Sequence, residues 1–420
     1  MSPDNNSKKV RLITLGCRLN FFETDGIFSG LKTEGYSLAA SGERADEVII
    51  NTCTVTNKAD SKNRNIIRKA IAANPDARVW VTGCYAQTDR AVIEKIPGIA
   101  GVIGNADKSG LAAMILGNPR TLSDRFSYSN VMPEGHTRAY LKIQDGCDRS
   151  CSYCKIPAAR GKGNSRNSDA ILEQVRFLQD KGVGEIVLTG VNIGWYKKEN
   201  KKSLPWLLES ILDLLDYSRL RISSIEPPDV GRELAELFQH PRFCNYLHIP
   251  LQSGSKKILK RMKRSYFPET FLARTRMVRE KNPEIFIGTD VITGFPGETE
   301  EDFQDSIRVI EEAGIVKIHA FPFSERKGTV AESLEGRVDV PLRKHRVRIL
   351  NSLSDRYWQQ YSTRMFGKTF QAIHENDGTL VTDNYLKIRL QQSQQQLAPG
   401  QFVDVTPVAM GDDGYLLGKL

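Results

Sequence analysis

At 420 residues the chain has room for two or three domains, each with a core of its own. Its 40% hydrophobic and 26% charged residues read as a soluble globular protein and exclude a disordered or fibrous one. No apolar run approaches the roughly 20 residues of a membrane span. The formal charge of +9 favours an anionic partner, nucleic acid first, and seven cysteines are an odd number for a secreted disulfide framework. The polar opening MSPDNNSKKVRL carries no secretory signal, so a cytoplasmic setting is expected, where clustered thiols mean metal or redox chemistry.

The first third alternates strand-like and helix-like runs. VRLITLGC, EVIINTC and RVWVTGC each read as a β-strand ending on a cysteine, at Cys17, Cys53 and Cys84. NFFETDGIFSGLKTEG and NKADSKNRNIIRKAIAANP read as the helices between them. This order predicts an open parallel α/β sheet, in which strand carboxyl ends line one edge and form sites. The three cysteines then converge on a three-thiolate site built by the fold. Buried structural cysteines at strand ends are the competing reading. Against it stands one repeated pattern: an apolar strand, a small or polar residue, then Cys.

The run QDGCDRSCSYCKIPAARG spaces Cys147, Cys151 and Cys154 as C-x3-C-x2-C. Three thiolates so close together can hold three irons of a four-iron cluster and leave the fourth without a protein ligand. A fully ligated electron-transfer cluster takes four cysteines, and a site one ligand short keeps a position open for chemistry, as catalytic zinc sites do. A zinc knuckle lacking one ligand is the competing reading. No other His or Cys lies close by to complete a tetrahedron, and this is not the usual finger spacing.

From that motif a strand–helix unit repeats six times. The strands are RAYLKIQDGC, EIVLTGV, RLRISSIEP, YLHIPLQS, IFIGTDVITG and IVKIHAFPFS, with amphipathic helices such as SDAILEQVRFLQDKG, PWLLESILDLL and EEDFQDSIRVIEEAG between them. Six parallel units predict a partial (β/α)6 barrel related to the eightfold one, with its chemistry at the strand carboxyl ends. Past residue 366, GKTFQAIHE, TLVTDNYLKIRL, QFVDVTPVAM and DGYLLGKL read as short strands of a small β-barrel, and the polar run QQSQQQLAPGQ as a loop.

Together these features resemble the methylthiotransferases of the radical S-adenosylmethionine (SAM) superfamily, over nearly the whole chain. The strings that carry the likeness are LGCRLNFFETD, NTCTVTNKAD, VTGCYAQ, QDGCDRSCSYCKIPAARG, SSIEP, LHIPLQSGS and TDVITGFPGET. The resemblance implies three domains: a methylthiotransferase domain at 8–119, a radical SAM core at 133–363 and a TRAM-like β-barrel at 366–420. It implies two 4Fe-4S clusters, on Cys147, Cys151 and Cys154 and on Cys17, Cys53 and Cys84, with SAM as second cofactor. One electron at the first cluster cleaves SAM to methionine and a 5′-deoxyadenosyl radical, which takes hydrogen from an unactivated C–H bond. The second cluster carries the sulfur to be inserted, and another SAM methylates it. A donor such as a flavodoxin or ferredoxin supplies the electron.

Strand-end position and the resemblance nominate residues for SAM. Tyr153, between two ligands, is placed near the adenine, with simple aromatic packing as the competing reading. Thr189, Gly190 and Asn192 follow the second strand, where the superfamily contacts the amino group. Ser224 and Glu226 follow the third and suit the ribose or methionine ends, although Glu226 also suits a barrel-rim ion pair. Gln252 and Ser253 follow the fourth, and Gly294 and Pro296 shape a turn. Cys244 reads as a small buried hydrophobe and His248 as structural.

The branches of this family modify isopentenyl- or threonylcarbamoyl-adenosine beside the anticodon of tRNA, or an aspartate of a ribosomal protein. NTCTVTNKADSKNRNIIRKAI is most like the threonylcarbamoyladenosine branch, whose base carries a carboxylate. Lys62, Arg64 and Arg68 could supply a cationic pocket for it, or could form a solvated helix face. Residues 255–281 carry ten Lys/Arg against two Glu, a candidate phosphate-contacting stripe. Residues 366–420 carry four Lys/Arg against six Asp/Glu, where a barrel gripping RNA phosphates would be basic. Aromatic or shape contacts could still serve RNA, and a mildly acidic barrel would also suit a basic ribosomal protein, the runner-up reading. Outside the enzyme class, an iron–sulfur RNA-binding or redox-sensing protein fits the same cysteines.

Overall fold

The computed structural model describes residues 7–54, 56–118, 124–128, 130–196, 202–391, 396–412 and 414–420. The start of the polar N-terminus, Val55 of the NTCTVT string, the boundary expected at 119 and residues 392–395 of the glutamine-rich run lie outside them. The chain forms two compact units. One comprises residues up to 134 with Tyr140–Arg149 and Cys154–Arg166; the other comprises Gly135–Ala139, Ser150–Tyr153 and Asn167–Leu420.

The first unit is built on a five-stranded parallel sheet of β1 (Lys9–Thr14), β2 (Ser37–Leu38), β3 (Glu47–Thr52), β4 (Arg78–Gly83) and β5 (Ile99–Ile103), ordered β2-β1-β3-β4-β5. All six residues of β3 are buried, as a central strand covered on both faces requires. The three strands expected from the sequence are therefore neighbours, with their carboxyl ends on one edge. The expected helices form at Arg18–Lys32 and Asn57–Ala73. Thr56 caps the second by accepting from the Ala59 N–H, and Asp60 lies in its first turn. Val48, Ile50, Ile67, Val79, Val81 and Tyr85 are at the centre of the core. The short strands β2 and β5 are not anticipated in the sequence: one has two residues and the other has its apolar run broken by Gly101.

The strand Ala139–Lys142 (β6) leads to a two-residue ladder of β7 (Gln144–Asp145) with β8 (Asn164–Ser165), and the helix Ile156–Arg160 lies in the loop between. In the second unit, β9 (Glu185–Thr189) pairs in parallel with β10 (Arg219–Ile222). β11 (Tyr246–His248), β12 (Phe286–Thr293) and β13 (Lys317–Pro322) form a second parallel sheet. Leu220 of β10 bridges in parallel to Phe243, just ahead of β11. The strands and their intervening helices make the partial (β/α)6 barrel expected. The helix Glu300–Glu312 opens with a capping box of Thr299 and Asp302.

A 24-residue helix, Val340–Thr363, leads to a closed barrel of five strands. They are β14 (Phe370–His374), β15 (Leu380–Thr382), β16 (Lys387–Leu390), β17 (Phe402–Met410) and β18 (Leu416–Lys419). The run TLVTDNYLKIRL is two strands rather than one. A turn at Asp383–Asn384 splits it, with Tyr385 at φ 66° and Thr382 Oγ1 accepting from the Leu386 N–H. The small barrel shares one apolar core with the larger one, in which Ala372, Leu380 and Ile388 meet Tyr246, Phe286 and Tyr361.

Arginines reinforce that core. Arg219 donates to the carbonyls of Gln371 and Val381 at 2.9 and 2.8 Å, and Arg221 to those of Asp383 and Thr382 at 2.9 and 3.1 Å. Both pair with Glu185 at 2.7 Å. The guanidinium groups hold the buried Glu185 carboxyl well below the usual range, against the upward push of burial.

Candidate functional site

In the first unit each of the three expected strands delivers its cysteine to the same edge. Cys17 is the N-cap of the helix Arg18–Lys32, Cys53 follows β3, and Cys84 opens the short helix after β4. Gly16 and Gly83 make this possible. Gly16 has φ 99°, and a Cβ there would lie 2.5 Å from Cys53 Cβ and 2.7 Å from its sulfur. Gly83 has φ 100°, and a Cβ there would press on Asn51 Oδ1 at 2.6 Å and on the Thr52 backbone. Only glycine permits both the turn and the close approach.

Cys17 lies within electrostatic reach of Cys84. Burial pushes the Cys17 thiol up, Arg160 pulls it down and Cys84 pushes it up again. Cys17 is nonetheless accessible to solvent, whereas Cys53 and Cys84 are buried. Asn105 Nδ2 lies 3.7 Å from Cys84 Sγ and donates to the Ala159 carbonyl at 2.7 Å. Asn63 donates to the Cys53 carbonyl at 2.5 Å.

Beside these thiols lies a buried charge network that sequence reading missed. Glu23 accepts from Lys108 at 2.7 Å, from Lys142 at 2.7 Å and from Arg160 at 2.9 Å. Asp145 accepts from Lys142 at 2.6 Å and from Arg160 at 2.9 Å. Arg160 also donates to Asn20 Oδ1 at 2.7 Å. Every side chain of these five is at most 2% exposed. Burial pushes the Glu23 carboxyl up, but Arg160, Lys108 and Lys142 together hold it well below its ordinary range. The signal was present in the sequence: Glu23 interrupts the apolar face of a helix and Lys142 an apolar strand, and buried charges must be paired.

The C-x3-C-x2-C cysteines divide between the units, Cys147 and Cys154 in the first and Cys151 in the second. Each sulfur receives an N–H. Arg149 donates to Cys147 Sγ at 3.4 Å, Ile156 to Cys154 Sγ at 3.4 Å and Arg264 Nη1 to Cys151 Sγ at 3.2 Å. Donors aimed at sulfur stabilise thiolates, the form that ligates iron, so the C-x3-C-x2-C set fits a cluster by its chemistry. Among the described residues no three His, Cys, Asp or Glu gather tightly enough to hold a single metal ion. Thiolates on separate irons of a cluster stand farther apart than ligands of one ion.

The second unit places the remaining nominated residues. Glu226 forms an ion pair with Arg264, whose guanidinium lies over the Tyr266 ring. Tyr153 packs edge-on against Phe295, with ring centroids 6.3 Å apart, beside Leu259 and Met262. Ser224 Oγ lies 2.7 Å from His248 Nδ1, and His248 Nε2 lies 3.2 Å from Asp290 Oδ1. His248 therefore links two polar groups rather than filling apolar space. Gln252 sits at φ 63°, and its N–H donates to the Asp290 carbonyl at 2.8 Å. The buried Ser253 accepts from the Ser255 N–H at 3.2 Å, and Ser255 donates to Asp302 at 2.6 Å, so Ser253 is engaged in holding its own loop. Thr189 ends β9 and Asn192 follows two residues after Gly190, both buried. Cys244 is buried, its thiol pushed up to about 12 mainly by burial, as a small inert hydrophobe would be.

The basic stripe at 255–281 is largely spent within the protein. Lys256, Lys257, Arg264, Arg276 and Lys281 pair with Glu269, Asp302, Glu226, Glu312 and Glu236. Arg261 and Arg279 donate to backbone carbonyls. Arg64 donates to the Tyr85 hydroxyl at 2.8 Å, beside Cys84, whereas Lys62 and Arg68 are exposed.

Comparison with known proteins accords with this geometry. Residues 141–310 match the radical SAM superfamily, and residues 9–104 match an uncharacterized protein family, UPF0004. The threonylcarbamoyladenosine tRNA methylthiotransferase MtaB of Bacillus subtilis (strain 168) is 37% identical over 96% of this chain and 94% of its own length. The protein of that name from Chlamydia pneumoniae is 36% identical over 87% of this chain and 86% of its own. Among solved structures, the radical SAM methyltransferase TsrM of Kitasatospora setae shares the fold, at a TM-score of 0.54 and 16% identity over 75% of each chain. Among the described residues no helix is long and apolar enough to cross a membrane. With full-length relatives above 30% identity and the radical SAM match over its centre, the chain belongs to the radical SAM methylthiotransferase family.

Proposed function

We propose that the protein transfers a methylthio group to carbon 2 of N6-threonylcarbamoyladenosine at position 37 of tRNA. As a radical SAM transferase it uses a 4Fe-4S cluster and SAM. The observation that carries the reading is the gathering of Cys17, Cys53 and Cys84 on one sheet edge, in a chain that also bears C-x3-C-x2-C. On this reading Cys147, Cys151 and Cys154 hold the SAM-binding cluster, and Cys17, Cys53 and Cys84 hold a second one. When bound, the first supplies the open iron and the electron that cleaves SAM, and the second presents the sulfur to be transferred.

The chain's own residues bind and orient. Tyr153, Thr189, Gly190, Asn192, Ser224, Glu226, Gln252 and Ser253 frame SAM at the strand ends, with Arg264 aligning Glu226 and Cys151. Ser224, His248 and Asp290 form a hydrogen-bonded row. If His248 Nε2 donates to Asp290, its Nδ1 is free to accept from the Ser224 hydroxyl, which fixes that hydroxyl's direction. We assign Arg64, beside Tyr85, to the carboxylate of the threonylcarbamoyl group. The partner is the tRNA anticodon loop, and an electron donor such as a flavodoxin or ferredoxin works with the enzyme in the cytoplasm.

The test is mass spectrometry of tRNA nucleosides with and without the gene. Loss of 2-methylthio-N6-threonylcarbamoyladenosine alone is the expected result. Loss of the isopentenyl counterpart, or of a methylthio-aspartate in a ribosomal protein with tRNA unchanged, overturns the substrate assignment. Iron uptake without SAM cleavage overturns the enzyme in favour of a sensor.

A further inference from the structure

The buried network beside Cys17 and Cys84 is unbalanced. Lys108, Lys142 and Arg160 face Glu23 and Asp145, leaving one positive charge in excess where the side chains are at most 2% exposed. An uncompensated buried charge is costly unless something answers it. Arg160 and Lys108 both interact electrostatically with Cys84, and Arg160 with Cys17 as well. The excess therefore lies toward Cys17 and Cys84. Arg160 closes the helix Ile156–Arg160, which begins two residues after Cys154. Its guanidinium reaches Asn20 and Glu23 on the helix that Cys17 caps. Its neighbour Ala159 receives Asn105, the side chain that approaches Cys84 Sγ. One five-residue helix thus follows a cysteine of one set and braces the surroundings of the other.

We propose that Arg160 is a positioning residue whose buried positive charge, with that of Lys108, raises the reduction potential of the cluster held by Cys17, Cys53 and Cys84. This rests on the assignment of a second cluster to those cysteines. A cluster on three thiolates is negatively charged and becomes more so on reduction, so a nearby fixed cation favours the reduced state. Asn105 adds a hydrogen bond to sulfur that acts in the same direction.

The experiment uses the full chain with Cys147, Cys151 and Cys154 changed to Ala, so that any remaining cluster is at the second site. Iron content is measured first, then the potential by electron paramagnetic resonance during redox titration. Arg160→Gln brings the network to zero net charge. It is expected to make reduction about tenfold less favourable, which is ~59 mV for one electron. Asp145→Asn, which adds to the excess, moves the potential upward. The pair Arg160→Gln with Asp145→Asn restores the original excess and returns the potential close to its starting value, which a purely structural role would not do. Should Arg160→Gln fail to fold, Lys108→Met gives the same downward shift. Iron bound with a potential indifferent to all these changes overturns the proposal and leaves the second cluster standing. No iron in the triple-Ala chain overturns the second cluster, and the proposal with it.

Discussion

Arg264 donates to Cys151 Sγ at 3.2 Å from one guanidinium nitrogen and pairs with Glu226 through another. A proposed iron ligand and a proposed SAM contact are thus wired to the same 4%-exposed side chain. Glu226→Ala removes the carboxylate and leaves Arg264 without that partner, turned toward the sulfur. SAM binding to the iron-loaded protein, measured by equilibrium dialysis, is expected to weaken about tenfold, roughly 1.4 kcal/mol. Unchanged affinity removes Glu226 from the SAM site.

Gly16→Ala forces a methyl group to within 2.7 Å of Cys53 Sγ at a φ of 99°. The neighbour it meets is itself a proposed ligand, so the second site should lose its iron while the C-x3-C-x2-C site keeps its own. Iron per chain after anaerobic reconstitution is expected to fall from about eight to about four, with cleavage of SAM retained. Eight irons in the variant would detach Cys53 from the site.

What the sequence made legible, and what it did not, follows from how each signal is written. The strands ending at Cys17, Cys53 and Cys84 are readable because a central parallel strand is a continuous apolar run, and EVIINT is buried throughout. The turn inside TLVTDNYLKIRL is hidden because its flanks are equally apolar, and only Asp383–Asn384 marks it. The SAM candidates were placed by strand-end position and by resemblance, neither of which can say that Ser253 is engaged by Ser255 or that Ser224 faces His248. The basic stripe misled because a count of charges ignores partners brought from elsewhere in the chain, such as Asp302 for Lys257. Glu23 with Lys142 spans 119 positions, beyond any local pattern.

Glu185 is buried and held by Arg219 and Arg221, both at 2.7 Å. Glu185→Ala leaves two guanidinium groups without their anion and is expected to cost about 3–5 kcal/mol. Urea unfolding followed by tryptophan fluorescence should show an earlier midpoint for this variant. A midpoint within error of the parent would mean that the arginine–carbonyl bonds suffice.

Acid should destabilise the second unit through carboxylates whose folded pKa is depressed. Asp302 is lowered from 3.8 to about 2 by Lys257, Ser255 and Thr299, against the upward push of burial, and Glu185 is lowered from 4.5. A depressed folded pKa stabilises above the unfolded value and is lost as pH falls through the folded one. Urea midpoints of metal-free protein are therefore expected to stay level down to about pH 4.5 and to decline below it. Asp302→Asn, which also opens the capping box, should cost roughly 1 kcal/mol at neutral pH and flatten the acid limb.

Arg64→Ala removes the cation assigned to the threonylcarbamoyl carboxylate while leaving Tyr85 and both cysteine sets in place. Turnover on tRNA carrying that base should drop at least tenfold, through KM more than kcat, with SAM cleavage in the absence of tRNA unaffected. Equal KM values for variant and parent would return Arg64 to the solvated face of its helix.

The last fifty residues are not a detachable module. Carbonyls of Gln371, Val381, Thr382 and Asp383 are the acceptors that Arg219 and Arg221 use, and Tyr246 and Phe286 lean on side chains from beyond residue 370. A chain clipped at the end of the long helix would leave two guanidinium groups short of acceptors and strip apolar cover from the foot of the larger barrel. Trimmed or fused versions of this enzyme must carry the terminal barrel along, whatever it does for RNA.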